Sequence, residues 1–246
     1  MTDWRTRAES LGHSVGLVIA AFALGFVLSG ISALGLRTAG VVAPGAQTLP
    51  PVALVVLFAA QFLGFGLAVV AYLEWRDEYG LFGIGLPGLA DLAWMMGGFI
   101  ALFASALGVS ALVQALEAET ATNQVVELGQ QDPTLFLYLI PVTIFFVAPA
   151  EELLFRGVVQ GLLRRAYGIV PGVLLASLLF GVGHWLALTG GGKLTYVAVA
   201  GVLGLVLGTV YELSENLLVP ITIHGVWNAF LFASQYLAAS GAIQPP

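Results

Sequence analysis

Two adjacent carboxylates and an arginine stand inside one of the most apolar stretches of this 246-residue chain. The run Phe145, Phe146, Val147, Ala148, Pro149, Ala150 leads straight into Glu151, Glu152, Leu153, Leu154, Phe155 and Arg156. A carboxylate in hydrocarbon is costly and persists only facing the protein interior with a partner, so an intramembrane ionisable residue is a functional hypothesis by default. Neighbours on a helix point about 100° apart, so Glu151 and Glu152 can hold different jobs. Glu152 and Arg156 are i,i+4 and can pair on one face, which leaves Glu151 without a cation on its own helix. The alternative, a helix end where all three reach the headgroups, is opposed by Arg164 and Arg165, which already mark that end.

Two further groups carry polar chemistry. Phe180 and His184 lie in the run Leu178, Leu179, Phe180, Gly181, Val182, Gly183, His184, Trp185, where the glycines argue for close backbone approach. His224 and Asn228 are again i,i+4 and share a face. Taken singly, His184 reads as well as a hydrogen-bonded packing residue, and His224 with Asn228 as interhelical polar glue. His13 is expected at the interface. Gln61, Asp91, Gln114 and Gln160 fall near helix ends or stand alone, and no chemistry is assigned to them.

The elements that must position these groups are membrane helices. The chain is 59% hydrophobic and 9% charged, against roughly 25% charged in an average soluble domain. Several apolar runs reach the roughly 20 residues that cross a bilayer. Seven are expected, at about 13–36, 52–73, 89–115, 134–162, 170–189, 194–211 and 218–239, with Gly and Pro frequent inside them. The first is too long for a signal peptide's apolar core. Without cysteine there is no disulfide framework, thiol nucleophile or thiolate metal site. Eight basic residues against a net charge of −6 exclude nucleic acid as a partner. Arg5, Arg7, Arg76, Arg164 and Arg165 gather on one side, and only Arg37 and Lys193 on the other, which predicts a cytoplasmic N-terminus and an external C-terminus. The loop 116–132 holds Glu117, Glu119, Glu127 and Asp132 and no basic residue.

Depth links the three polar groups. At about 1.5 Å per residue from each cytoplasmic end, Glu151 lies roughly 18 Å deep, His184 roughly 21 Å, Asn228 roughly 16 Å and His224 roughly 10 Å. Independent packing residues have no reason to agree in depth, so one buried, water-accessible site is expected. A carboxylate with a neutral imidazole can deprotonate and orient water. A second imidazole and a carboxamide can donate to the oxyanion of a tetrahedral intermediate. Two histidines and a glutamate could also bind zinc, but they lack the short HExxH spacing.

EExxxR (Glu151, Glu152, Arg156), then FxxxH (Phe180, His184), then HxxxN (His224, Asn228) together resemble the CAAX protease and bacteriocin-processing family of intramembrane glutamic endopeptidases. The resemblance runs from about Pro133 to Ser234, including Tyr211, Glu212 and Asn216 to Pro220. It implies an all-α polytopic bundle with an intramembrane polar site, whose best-known arrangement has eight transmembrane helices, and this chain departs from it with about seven, eight being the alternative. It implies that residues 133–239 form the catalytic part, preceded by helices in 1–132 and followed by a tail at 240–246. Glu151 would be the base that activates water with His184, and His224 and Asn228 the oxyanion hole. Glu152, Arg156 and Phe180 would support the site, with no metal or other cofactor. The implied substrate is a membrane-embedded or lipidated, CAAX-like protein in the cell membrane of a prokaryote. A non-proteolytic scaffold or immunity protein, and a zinc metalloprotease, stand as alternatives. A transporter would show broken helices in two related halves, and no such repeat is visible.

Overall fold

Long apolar segments bounded by cap residues leave the backbone little choice but helix, since a lipid-facing chain must satisfy its own N–H and C=O groups. The computed structural model describes residues 3–242 of the chain. Helix α1 spans Trp4–Thr38, α2 Pro51–Arg76, α3 Leu89–Ala115 and α4 Gln124–Gln131. Helix α5 runs over Thr134–Tyr167 and α6 over Ile169–Ala187, while α7 covers Lys193–Ser214 and α8 Leu218–Ala239. Caps set the boundaries. Asp3 accepts from Thr6 N–H at 2.8 Å, Asp91 from Gly88 N–H at 2.8 Å, and Asp132 from Thr134 N–H at 3.1 Å. Pro51 opens α2 with its preset φ.

Among the described residues, six helices (α1, α2, α3, α5, α6 and α7) are long and apolar enough to cross a membrane. The seventh expected span, 218–239, is α8, and its 22 residues match the others in length. It is less apolar because Thr222, His224, Asn228, Ser234 and Gln235 sit on it. The chain is thus an all-α, multi-pass membrane protein. The expected span 170–189 overshoots α6, since 188–189 turn out extended, and the last four residues of the expected tail, 243–246, lie outside the described residues.

Helix α5 is the hub, and it is not uniformly α. Thr143–Val147 and Leu153–Gln160 are π-helical, flanking the α-helical Ala148–Glu152. Pro141 and Pro149 each remove an N–H and crowd the carbonyl four residues back, which favours such widened turns. Leu154, Phe155, Val158 and Leu162 of α5 pack with Leu17, Ala21, Phe65 and Val69 of α1 and α2, and with Ala176 and Phe180 of α6. A second cluster joins Leu102, Leu207, Val210, Val219 and Ile223 across α3, α7 and α8. Helices α6 and α7 touch backbone to backbone, because a Cβ on Gly181 would sit 2.5 Å from the Val197 carbonyl oxygen.

Extended structure among the described residues is one two-residue ladder. Strand β1 (Thr122–Asn123) pairs antiparallel with β2 (Leu188–Thr189), Thr122 opposite Thr189 and Asn123 opposite Leu188. Thr189 Oγ1 adds hydrogen bonds to the Thr122 carbonyl and to Glu127. The α3–α4 connection is thereby clasped to the α6–α7 connection.

Candidate active site

Glu151 and Glu152 occupy the short α-helical segment between the two π turns, so their side chains diverge. Glu152 is fully buried and turned inward. Arg156 Nη1 lies 3.1 Å from its Oε1, closing the i,i+4 pair with both groups buried. Arg156 also donates from Nη2 to the Gly204 carbonyl at 3.2 Å, and its guanidinium carbon stands 4.3 Å from the Phe180 ring centroid. The glycine on α7 leaves room for this, since a Cβ at Gly204 would press on the Phe180 ring at 3.1 Å and touch Arg156 Nη2 at 3.4 Å.

His224 comes down from α8 between the two carboxylates. Its Nδ1 is 2.7 Å from Glu152 Oε1 and its Nε2 is 3.6 Å from Glu151 Oε2. A carboxylate can only accept, so the Nδ1 proton points to Glu152. His184 sits where α6 tightens into a 3₁₀ turn, His184–Ala187, and its Nδ1 lies 2.8 Å from the Phe180 carbonyl oxygen. A carbonyl likewise only accepts, so Nδ1 carries the proton and Nε2 of the neutral ring keeps a free lone pair. Phe180 is the common wall, with its ring edge-on to His184 at 4.7 Å and to His224 at 5.9 Å.

Glu151, His184, His224 and Asn228 line one cavity of about 320 Å³ between α1, α2, α5, α6 and α8. Glu152, Arg156 and Phe180 stand behind its wall. A wider groove of about 620 Å³ between α1 and α2 includes His13, Tyr72 and Trp75 but none of these groups. Among the described residues, no three His, Asp or Glu side chains converge as a metal ion requires.

Two glutamines given no chemistry above prove to belong here. Gln160 is fully buried and donates to the Gly208 carbonyl at 3.1 Å and to Glu212 at 2.8 Å, while Arg164 reaches the same Glu212 at 3.1 Å. Glu152, Arg156, Gln160 and Arg164 thus form a polar stripe at four-residue steps against Gly204, Gly208 and Glu212 of α7. Four residues overshoot a turn of 3.6 by about 40°, and the π turn over Leu153–Gln160 absorbs that drift. The i,i+4 series was the available signal. Gln61 of α2 lines the same cavity as Glu151 and His184. Tyr211 accepts from Gly83 N–H at 3.3 Å, and Asn216 bonds both N–H and C=O of Gly85. These residues tie the α2–α3 connection to the α7–α8 turn.

No curated protein and no solved structure matches the chain. Residues 133–230 match the family model described as "Type II CAAX prenyl endopeptidase Rce1-like". That segment begins just before α5 and ends within α8, so it takes in all seven residues of the three motifs. Over that segment this multi-pass membrane protein is similar to the CAAX protease and bacteriocin-processing family.

Proposed function

We propose that the protein hydrolyses a peptide bond of a membrane-embedded or prenylated, CAAX-like substrate, using water activated by Glu151. The observation that carries this reading is the meeting of Glu151, His184, His224 and Asn228, from three helices, on one cavity between apolar helices. Glu151 Oε2 takes a proton from water as the water oxygen bonds to the scissile carbonyl carbon. The free Nε2 lone pair of His184 accepts the water's other hydrogen and so aims the attack. Asn228 donates from its amide to the developing oxyanion. His224 donates there from Nε2 when both its ring nitrogens carry protons, with Nδ1–H held by Glu152. Protonated Glu151 then passes its proton to the leaving nitrogen, the C–N bond breaks, and an acid and an amine result. Preorganised donors in a water-poor cavity are worth far more than in water.

The orientation that fits the basic residues puts the N-terminus in the cytoplasm and the C-terminus outside. Tyr167 donating to the Arg7 carbonyl at 2.9 Å, and Arg165 pairing with Glu78, keep the basic ends of α1, α2 and α5 on one face.

Purified Glu151→Gln and Asn228→Ala proteins, assayed on a dye-quencher peptide ending in a farnesylated CAAX sequence, test the reading. Glu151→Gln should fold normally and lose activity by about 10²–10⁴ or more. Asn228→Ala should lower kcat by about 10²–10³ with little change in KM. Comparable turnover by folded Glu151→Gln protein overturns the assignment.

A further inference from the structure

Water can attack a peptide carbonyl only once that carbonyl has left its helical hydrogen bond. The segment in the cavity must therefore be extended, with its N–H and C=O groups exposed. In apolar surroundings each unmet backbone group is expensive, so the cavity wall has to supply partners that are not consumed by the chemistry.

Most of the wall supplies none. Phe22, Phe26, Phe58, Phe62 and Phe65 line it from α1 and α2. Asn123 reaches it from β1 but commits its Oδ1 to the Val125 N–H at 3.0 Å, capping α4. Thr143, Tyr196 and the exposed Gln124 also line it, but the half-buried carboxamides left are Gln61 of α2 and Gln235 of α8. Both are half-buried on the cavity wall, and among the described residues neither side chain has a hydrogen-bond partner within the protein. A free carboxamide in an apolar wall offers one acceptor and two donors without a charge, the complement of a peptide group. The two stand on different helices from the base, Gln61 on α2 and Gln235 about two turns beyond Asn228 on α8.

We infer that Gln61 and Gln235 form a backbone clamp that holds the substrate extended across Glu151 by hydrogen bonds to peptide groups flanking the scissile bond. The inference rests on the protease reading above. It makes the two glutamines positioning residues, acting on substrate shape and not on the reacting atoms, and makes the enzyme tolerant of side-chain identity where they grip.

Single ester replacements walked along the farnesylated dye-quencher peptide, each removing one N–H, test the clamp against the parent protein, Gln61→Leu and Gln235→Leu. Each leucine variant should raise KM about three- to tenfold, one hydrogen bond's worth, with kcat changed less. At one position near the cleaved bond, the ester should weaken the parent protein but cost the matching leucine variant nothing further. Fluorescence anisotropy of the same peptide on the Glu151→Gln background should show the same loss in Kd. Unchanged KM and Kd in both leucine variants overturn the clamp while leaving the protease reading intact. An ester penalty equal in parent and variants also overturns it, because the glutamines then act only on folding. A peptide neither bound nor cleaved by the parent protein removes the protease reading and the clamp with it.

Discussion

Arg156 is the residue on which the site's geometry depends most. It is 1% exposed, neutralises a carboxylate that is 0% exposed, and caps a carbonyl on a second helix. Removing one member of a buried pair leaves an uncompensated charge, at a cost of roughly 3–5 kcal/mol. Arg156→Ala should therefore lose thermal stability in detergent as well as activity, because Glu152 then has only His224 to face. Arg156→Lys should recover part of the stability and less of the activity. The compact ammonium keeps the charge but cannot lie flat on Phe180 while bonding two acceptors. Melting curves of the three proteins decide this, and an Arg156→Ala protein as stable as the parent would show that Glu152 needs no cation. The pairing of Glu152 with Arg156 was legible from i,i+4 spacing. The bridging of both carboxylates by His224 was not, because no local spacing relates α5 to α8.

Among the elements, the glycines of α6 separate two causes that sequence alone merges. Gly181 and Gly183 both read as sites of close approach, but only Gly181 meets backbone. A Cβ there would collide with the Val197 carbonyl, whereas at Gly183 it would find Phe155 and Phe22 at an ordinary 3.4 Å. Gly181→Ala should cost about 1–3 kcal/mol through overpacking, and should lower activity by levering α6, with Phe180 and His184, away from α7. Gly183→Ala should fall within about 0.5 kcal/mol of the parent. Thermal unfolding of the pair, side by side, is the check, and equal losses would mean that the α6–α7 contact yields freely. The spans themselves were plain in the sequence because each is a long apolar run. The π turns were not, since they arise from prolines acting together with the demand that Glu152, Arg156 and Gln160 stay in line. Helix α4 and the β1–β2 ladder were equally hidden. Eight residues and two residues are too short for a periodic pattern, and they form because two loops meet.

At the scale of the whole molecule, the basic face is stitched by ion pairs outside the hydrocarbon. Arg165 grips Glu78 with two hydrogen bonds of 2.7 and 2.8 Å, joining the end of α5 to the end of α2. That guanidinium holds the Glu78 carboxyl below its usual range. A depressed carboxyl contributes stability that is present above the ordinary carboxylate range and lost as pH falls through the folded-state value. Glu78→Gln should thus melt slightly below the parent near neutral pH. The two curves should converge in acid, the gap staying within about 1 kcal/mol because Arg165 is largely exposed. A gap that persists unchanged into acid would assign the contact to packing. The same face underlies the orientation proposed above. As the chain has no cysteine, a membrane-impermeant maleimide on Gln124→Cys in intact cells reads it, and labelling only after lysis would invert the topology.

The ladder between Thr122–Asn123 and Leu188–Thr189 roofs a cavity whose rim includes Asn123 and Gln124. Its consequence is temporal. If the substrate of the proposed protease enters past this ladder, each turnover contains at least one unbuttoning. Loop openings of this kind take microseconds to milliseconds and commonly set kcat in place of the bond-breaking step. The enzyme should then be a gated clock more than a fast chemist. Raising solvent viscosity should slow its kcat, and Thr189→Ala, which loosens the button, should weaken that dependence and speed release. A kcat indifferent to viscosity would return the slow step to the hydrolysis itself.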